Sequence, residues 1–94
     1  MKNWKDYSFI VRSEQRKKVF DSLSKPKTPT QISKERGIDL GYISNILISL
    51  INRKLIECLN PEEKRHRLYV RNKKGQGLFK EISSMENNKN GKEK

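Results

Sequence analysis

Thr28-Pro29-Thr30-Gln31-Ile32-Ser33-Lys34-Glu35-Arg36-Gly37-Ile38-Asp39-Leu40-Gly41-Tyr42-Ile43-Ser44-Asn45 is the stretch that decides the fold. It opens with a threonine able to cap a helix, a proline at the first helical position and a glutamine placed to return the capping bond. About two turns later Gly37 offers the left-handed backbone that ends helices, and Asp39 can cap a second helix, from about Leu40 to Arg53. At 100° per residue, with Leu47 at zero, Ile43, Leu50 and Ile51 fall at about −40°, −60° and +40° and define a buried arc. Asn45, Ser49, Asn52 and Tyr42 fall on the opposite arc, which is polar yet uncharged. Two helices separated only by the turn from Gly37 to Asp39 form a helix-turn-helix pattern.

Working outward, Ser13 can cap a helix from about Glu14 to Ser24, with Val19, Phe20 and Leu23 as its buried stripe and Lys25-Pro26-Lys27 as its stop. Before it lies an apolar, aromatic opening: Trp4, Tyr7, Phe9, Ile10 and Val11. After the second helix, Leu55-Ile56-Glu57-Cys58-Leu59 reads as a strand, residues 60–66 as a loop, and Arg67-Leu68-Tyr69-Val70 as the returning strand. Leu78, Phe79, Ile82 and Met85 recur at helical spacing and predict a last helix from about Lys73 to Glu86. The expected organisation is an N-terminal extension over 1–12, one domain over 13–86 and a flexible polar tail over 87–94.

With 94 residues and no internal repeat, a single small core is expected. Leu, Ile, Val and Phe make up about 24% of the chain, above the roughly 20% at which charged chains stay disordered. Charged residues at 35% imply a modest core, which disfavours an enzyme with a deep dry pocket. The formal charge of +11 costs self-repulsion unless a polyanion offsets it, so nucleic acid or an anionic membrane surface is the natural partner. The most apolar stretch, Ile43 to Ile51, is interrupted by Ser44, Asn45 and Ser49, so no membrane span is expected. The first residues lack a secretory pattern and the single Cys58 permits no internal disulfide, which together predict a cytoplasmic protein.

Helix, capped short helix, longer helix and a hairpin with a basic tip is the winged helix-turn-helix order: mainly α with a small β-hairpin. Residues 37–47 resemble the turn and recognition helix of archaeal winged-helix transcription regulators of the MarR/ArsR-like kind. Residues 55–63, Arg67-Leu68-Tyr69 and Lys73-Lys74-Gly75 resemble their wing and following helix. The likeness extends over about 12–82. It implies a DNA-binding transcription regulator with helix 40–53 in the major groove and wing 60–67 on backbone or minor groove.

The residues agree with that expectation. Asn suits two-pronged pairing with adenine, which makes Asn45 the first candidate for base contact, flanked by Tyr42, Ser44 and Ser49. Gly41 would let the first turn approach the duplex closely. Without Arg before Arg53, this face lacks the commonest guanine reader and favours A·T-rich sites. The alternative for the whole arc is the solvated side of an amphipathic helix. Lys64, Arg65, His66 and Arg67 at the wing tip can reach phosphates or a minor groove, although Glu62 and Glu63 sit beside them. Thr28, Thr30 and the amides opening the short helix could hold a phosphate, while capping alone explains Thr28 equally well. Arg16, Lys17 and Lys18, and Lys25, Lys27, Lys34 and Arg36, are further phosphate candidates or simply solvated charges.

No catalytic, cofactor or metal site is expected. His66 and Cys58 stand alone as ligand types, adjacent Glu62-Glu63 lie on a loop, and Gly75-Gln76-Gly77 lacks the strand and lysine of a phosphate loop. Nor is a small-molecule ligand evident. Ile46 and Ile48, at about −100° and +100°, read as buried against several elements or as an intersubunit contact. Trp4, Tyr7, Phe9 and Ile10, with Leu78, Phe79, Ile82 and Met85, offer more apolar surface than a small core covers, so a homodimer is expected. The competing functions are a winged-helix protein-interaction module and a general nucleic-acid-packaging protein.

Overall fold

Local capping bonds set most helix boundaries. In the computed structural model, which describes residues 4–92 and side chains as far as Met85, five helices and one hairpin follow in the order α1 (Trp4–Val11), α2 (Glu14–Ser22), α3 (Pro29–Arg36), α4 (Leu40–Asn52), β1 (Ile56–Cys58), β2 (Tyr69–Arg71) and α5 (Lys73–Lys92). Ser13 Oγ accepts the Arg16 amide at 3.2 Å and starts α2. That helix stops at Ser22, short of the expected Ser24, because the Leu23 amide turns back to the Phe20 carbonyl in a tighter three-residue loop. Thr28 and Gln31 form the expected reciprocal box at the start of α3, with bonds of 3.2 and 3.0 Å. Gly37 ends the helix at φ 65°, and Asp39 accepts the Gly41 amide at 3.0 Å to begin α4.

The core draws on every helix: Ile10 of α1, Val19 and Phe20 of α2, Ile32 of α3, Ile43, Leu47 and Leu50 of α4, and Leu78 and Ile82 of α5 are buried. Burying such side chains is the main favourable term for a domain of this size. The hairpin is shorter than its sequence suggests. Leu55 gives its amide to the Leu50 carbonyl, closing α4, so β1 begins only at Ile56. β1 and β2 pair antiparallel with Ile56 opposite Arg71, Glu57 opposite Val70 and Cys58 opposite Tyr69. Tyr69 also forms a bridge with Lys27, N–H to C=O in both directions at 3.0 and 2.9 Å, which attaches the wing to the segment leading into α3.

Asn72 opens α5 by accepting the Gly75 amide at 2.8 Å while its own Nδ2 donates to the Lys54 carbonyl at 2.8 Å. α5 continues past the expected end at Glu86 to Lys92, as no proline interrupts it. The expected tail 87–94 is therefore helical as far as Lys92. Residues 93–94, and residues 1–3 of the expected extension, lie outside the described residues.

Gly75 is the tightest point of this junction: a Cβ there would stand 2.0 Å from the Leu55 carbonyl oxygen, whereas one at Gly77 would meet nothing within 4 Å. Gly75→Ala should destabilise the domain by about 2–3 kcal/mol through overpacking. Gly77→Ala should stabilise it by about 0.5–1 kcal/mol through helix propensity. Urea unfolding of the two variants checks both signs.

Candidate nucleic-acid interface

Along α4, burial follows the expected arc but is displaced to one side. Of the two readings for this pair, burial against several elements holds for Ile46, while Ile48 is 59% exposed. The two flank the central stripe at opposite angles. The wing stands away from α4 on the Ile48 side, leaving a depression of about 440 Å³ lined by Ser44, Leu47, Ile48, Ile51, Cys58 and Tyr69 among others. Gly41, Tyr42, Ser44 and Asn45 are exposed. Ser49 is half-buried and donates its Oγ to the Ile46 carbonyl at 2.7 Å.

The wing loop is organised from within by Asn60 and Arg67. Asn60 Oδ1 accepts the Leu68 amide at 2.7 Å, and its Nδ2 donates to the His66 carbonyl at 3.2 Å. Arg67 folds back, donating Nε to the Glu63 carbonyl at 2.5 Å and Nη2 to the Pro61 carbonyl at 3.2 Å. His66 takes φ 58°, an uncommon left-handed conformation for a residue with a side chain, at the loop's return. Lys64 and Arg65 are exposed at the tip. Arg67 thus spends two of its donors holding the loop, a use that sequence reasoning did not assign to it. Cys58 is half-buried, with Sγ 3.7 Å from Asn60 Oδ1.

Six of the expected site residues converge. Thr28, Thr30, Ser44, Lys64, His66 and Arg67 line one depression with Pro29, Leu40 and Tyr69, where the start of α3, the outer side of α4 and the wing meet. The Lys27–Tyr69 bridge produces this convergence by drawing the wing against the α3 cap. Gly41, Tyr42, Asn45 and Ser49 lie on α4 outside that depression, and Arg65 lies beyond it on the wing. Several other basic candidates have internal partners: Lys27 pairs with Glu35 at 2.6 Å, Lys17 with Asp21 at 3.0 Å, and Arg36 donates to Ser22 Oγ at 2.6 Å.

This arrangement of helices and hairpin has close counterparts among solved structures. The neighbours are MarR-family winged-helix transcription regulators. One MarR-family regulator superposes with a TM-score of 0.74 at 26% identity, over 84% of this chain and 54% of its own. A variant of MarR from E. coli, complexed with operator DNA, gives 0.63 at 28% identity over 73% of this chain and 51% of its own. FabT from Streptococcus pneumoniae, in complex with DNA, shares the fold at 0.69 and 20% identity over 93% and 67%. The chain spans about half the length of the first two. No protein-family model and no curated protein matches it.

Two further residues of this surface escape the sequence reading. For Ile48 the wheel leaves burial and an intersubunit contact open, and it is the stand-off of the wing that exposes it within the chain. Asn60 reads from the sequence only as part of the 60–66 loop. The signal available was an Asn before Pro at a strand end, a combination that favours turns stabilised by side-chain bonds.

Removing the Asn60 amide should loosen the wing without unfolding the core. In Asn60→Ala, the Leu68 amide should exchange with solvent about tenfold faster, the loss of roughly one hydrogen bond, while core amides such as that of Leu50 remain protected. Hydrogen-exchange NMR gives both readings.

Proposed function

We propose that this chain binds double-stranded DNA as a transcription regulator, with α4 in the major groove and wing residues 60–67 on backbone or minor groove. The observation that carries the reading is the open, uncharged polar arc of α4, with the exposed cations Lys64 and Arg65 on the wing beside it, in a chain of net charge +11. Base edges are read by side chains that exchange hydrogen bonds, and phosphates are gripped by cations. The operator and DNA complexes of the neighbouring MarR and FabT structures support the same assignment.

In this reading Asn45 pairs with adenine, Tyr42, Ser44 and Ser49 supply further polar contacts, and Gly41 allows close approach of the first turn. Ile48, exposed between Ser44 and Asn45 on the helical wheel, suits the methyl group of thymine, which reinforces a preference for A·T-rich sites. Thr30 and the amides of the first turn of α3 meet a phosphate beside Thr28, whose hydroxyl already caps the helix. Lys64, Arg65 and His66 grip the backbone or enter the minor groove, and Arg67 shapes the loop that presents them. The protein acts in the cytoplasm as a homodimer. Of the eight apolar residues expected to exceed the core, Ile10, Leu78 and Ile82 are buried in it and Tyr7, Phe9 and Phe79 pack against it, so Trp4 on α1, 60% exposed, and Met85 on α5, 40% exposed, are what remain for contact with a second copy.

Selection of bound fragments from random duplex DNA tests the reading directly. It should return A·T-rich half-sites about 10 base pairs apart, as a twofold dimer requires. Asn45→Ala should cost about 1–3 kcal/mol on the selected site while leaving nonspecific binding unchanged. Equal loss on every sequence would remove Asn45 from base reading. Arg65→Glu should weaken binding to all sequences and flatten its salt dependence.

A further inference from the structure

A second group of cations lies across α4 from the wing. The ring of Phe9 carries the Arg16 guanidinium 3.8 Å from its centroid and that of Arg53 at 4.0 Å. Arg16 is fixed further by a bond to the Phe9 carbonyl, and Arg53 by its ion pair with Asp6 at 2.9 Å. Arg12, exposed at the end of α1, lines a depression with Trp4, Lys5, Ser8, Phe9 and Arg53, and Arg16 packs on the same Phe9 ring from outside that lining. Asp6 is shared with Lys74 at 3.3 Å, and among the described residues no carboxylate pairs with Arg12 or Arg16. The cluster is therefore cationic in excess.

Its position relative to α4 follows from Arg53, the C-cap of that helix, which with Tyr42 falls on the side of the wheel opposite Ser44 and the wing and shares the Phe9 ring with Arg16. Tyr42 is 47% exposed. Burial, together with the charges of Arg12 and Arg53, pulls the Arg16 guanidinium below its usual value. Like charges held together in this way are relieved by an anion.

We infer that Arg12 and Arg16, with the Tyr42 hydroxyl, form a phosphate clamp for the DNA strand on the far side of the groove from the wing. The inference rests on the DNA-binding reading above. A major groove about 12 Å wide is bounded by two sugar-phosphate strands, so a helix lying in it has a row of phosphates along each flank. The wing serves one row, and this cluster faces the other. A guanidinium already stacked on Phe9 loses little freedom on binding, and its planar fork matches two phosphate oxygens.

The test is the salt dependence of binding to a random-sequence duplex for the unaltered protein, Arg65→Gln, Arg12→Gln and the double variant. Arg12 is exposed, so its replacement leaves the fold intact, which thermal unfolding verifies. Each single change should reduce the slope of log affinity against log salt by about 0.9, one phosphate contact, and the double change by about 1.8. A reduced slope for Arg65→Gln with an unaltered slope for Arg12→Gln overturns the clamp and leaves the DNA reading standing. Absence of salt-dependent duplex binding by the unaltered protein overturns both. Titration with inorganic phosphate, followed on the Phe9 ring signals by NMR, separates a strand clamp from a site for free anions. Saturable binding of the free ion, with the Arg12→Gln slope unchanged, assigns the cluster to small anions and overturns the clamp.

Discussion

The attachment of β2 to the helical core is the constraint on which the candidate interface depends. The Arg71 amide donates to the Leu23 carbonyl at 3.1 Å, and Tyr69 exchanges bonds with Lys27. The buried Arg71 side chain completes the joint. Its Nη1 donates to the Phe20 carbonyl at 2.6 Å and its Nε to Gln76 Oε1 at 2.7 Å, while the guanidinium lies 3.8 Å from the Phe79 ring centroid. Burial lowers the pKa of this group, and the charge of Asp21 partly restores it. A buried guanidinium is costly unless its donors are used and its charge is offset; here carbonyl, amide and aromatic faces do both. One side chain thereby joins the end of α2, the first turn of α5 and the base of the wing.

Rigid attachment at the base leaves the tip to be shaped by short-range bonds, and a division of labour among the cations follows. Arg67 and Asn60 satisfy carbonyls and an amide that the loop's irregular path would otherwise leave to solvent. Lys64 and Arg65 remain directed outward with no such duty. The four-residue basic run is therefore not four equivalent contacts. A similar split occurs elsewhere: Lys27, Arg36 and Arg53 bind partners within the fold, whereas Arg12 stays exposed. A surplus of charge in a small domain is thus sorted by position into cations that build the fold and cations that are displayed.

What could be read in the sequence was what is decided locally. Ser13, Thr28, Gly37 and Asp39 each act within a few residues of themselves, so the caps of α2, α3 and α4 were visible from residue type and spacing. The buried stripe of α4 was equally visible through Ile43, Leu47 and Leu50. Ile48, Arg71 and Asn60 were not, for a common reason. The environment of each is set by an element distant in the chain: the wing that stands away from Ile48, the α2 carbonyl that receives Arg71, the returning strand that Asn60 holds. The hairpin ends were misplaced for the same cause, since Leu55 is claimed by the close of α4 before it can enter a strand. The convergence of Thr28, Thr30 and Ser44 with the wing likewise rests on one backbone bridge, Lys27 to Tyr69, for which the residue types give no sign.

The uncharged character of the outward arc of α4 gains meaning from what flanks it. A cation placed directly against base edges must shed tightly held water, and it is drawn to phosphates whatever the sequence. Neutral groups such as Asn45 and Ser44 pay less to desolvate and gain only where donors and acceptors match. With cations held to either side, on the wing and near Phe9, a chain that binds DNA as proposed would adjust attraction to the polyanion and discrimination among bases separately. Under the proposed reading, changes at Arg65 or Arg12 would alter how firmly any duplex is held, and changes at Asn45 or Ile48 which duplex is preferred. That separation is possible only while the wing base and α1 keep their positions around α4, which returns the burden to two buried or half-buried cations, Arg71 and Arg53, and to the aromatic rings and carbonyls that hold them.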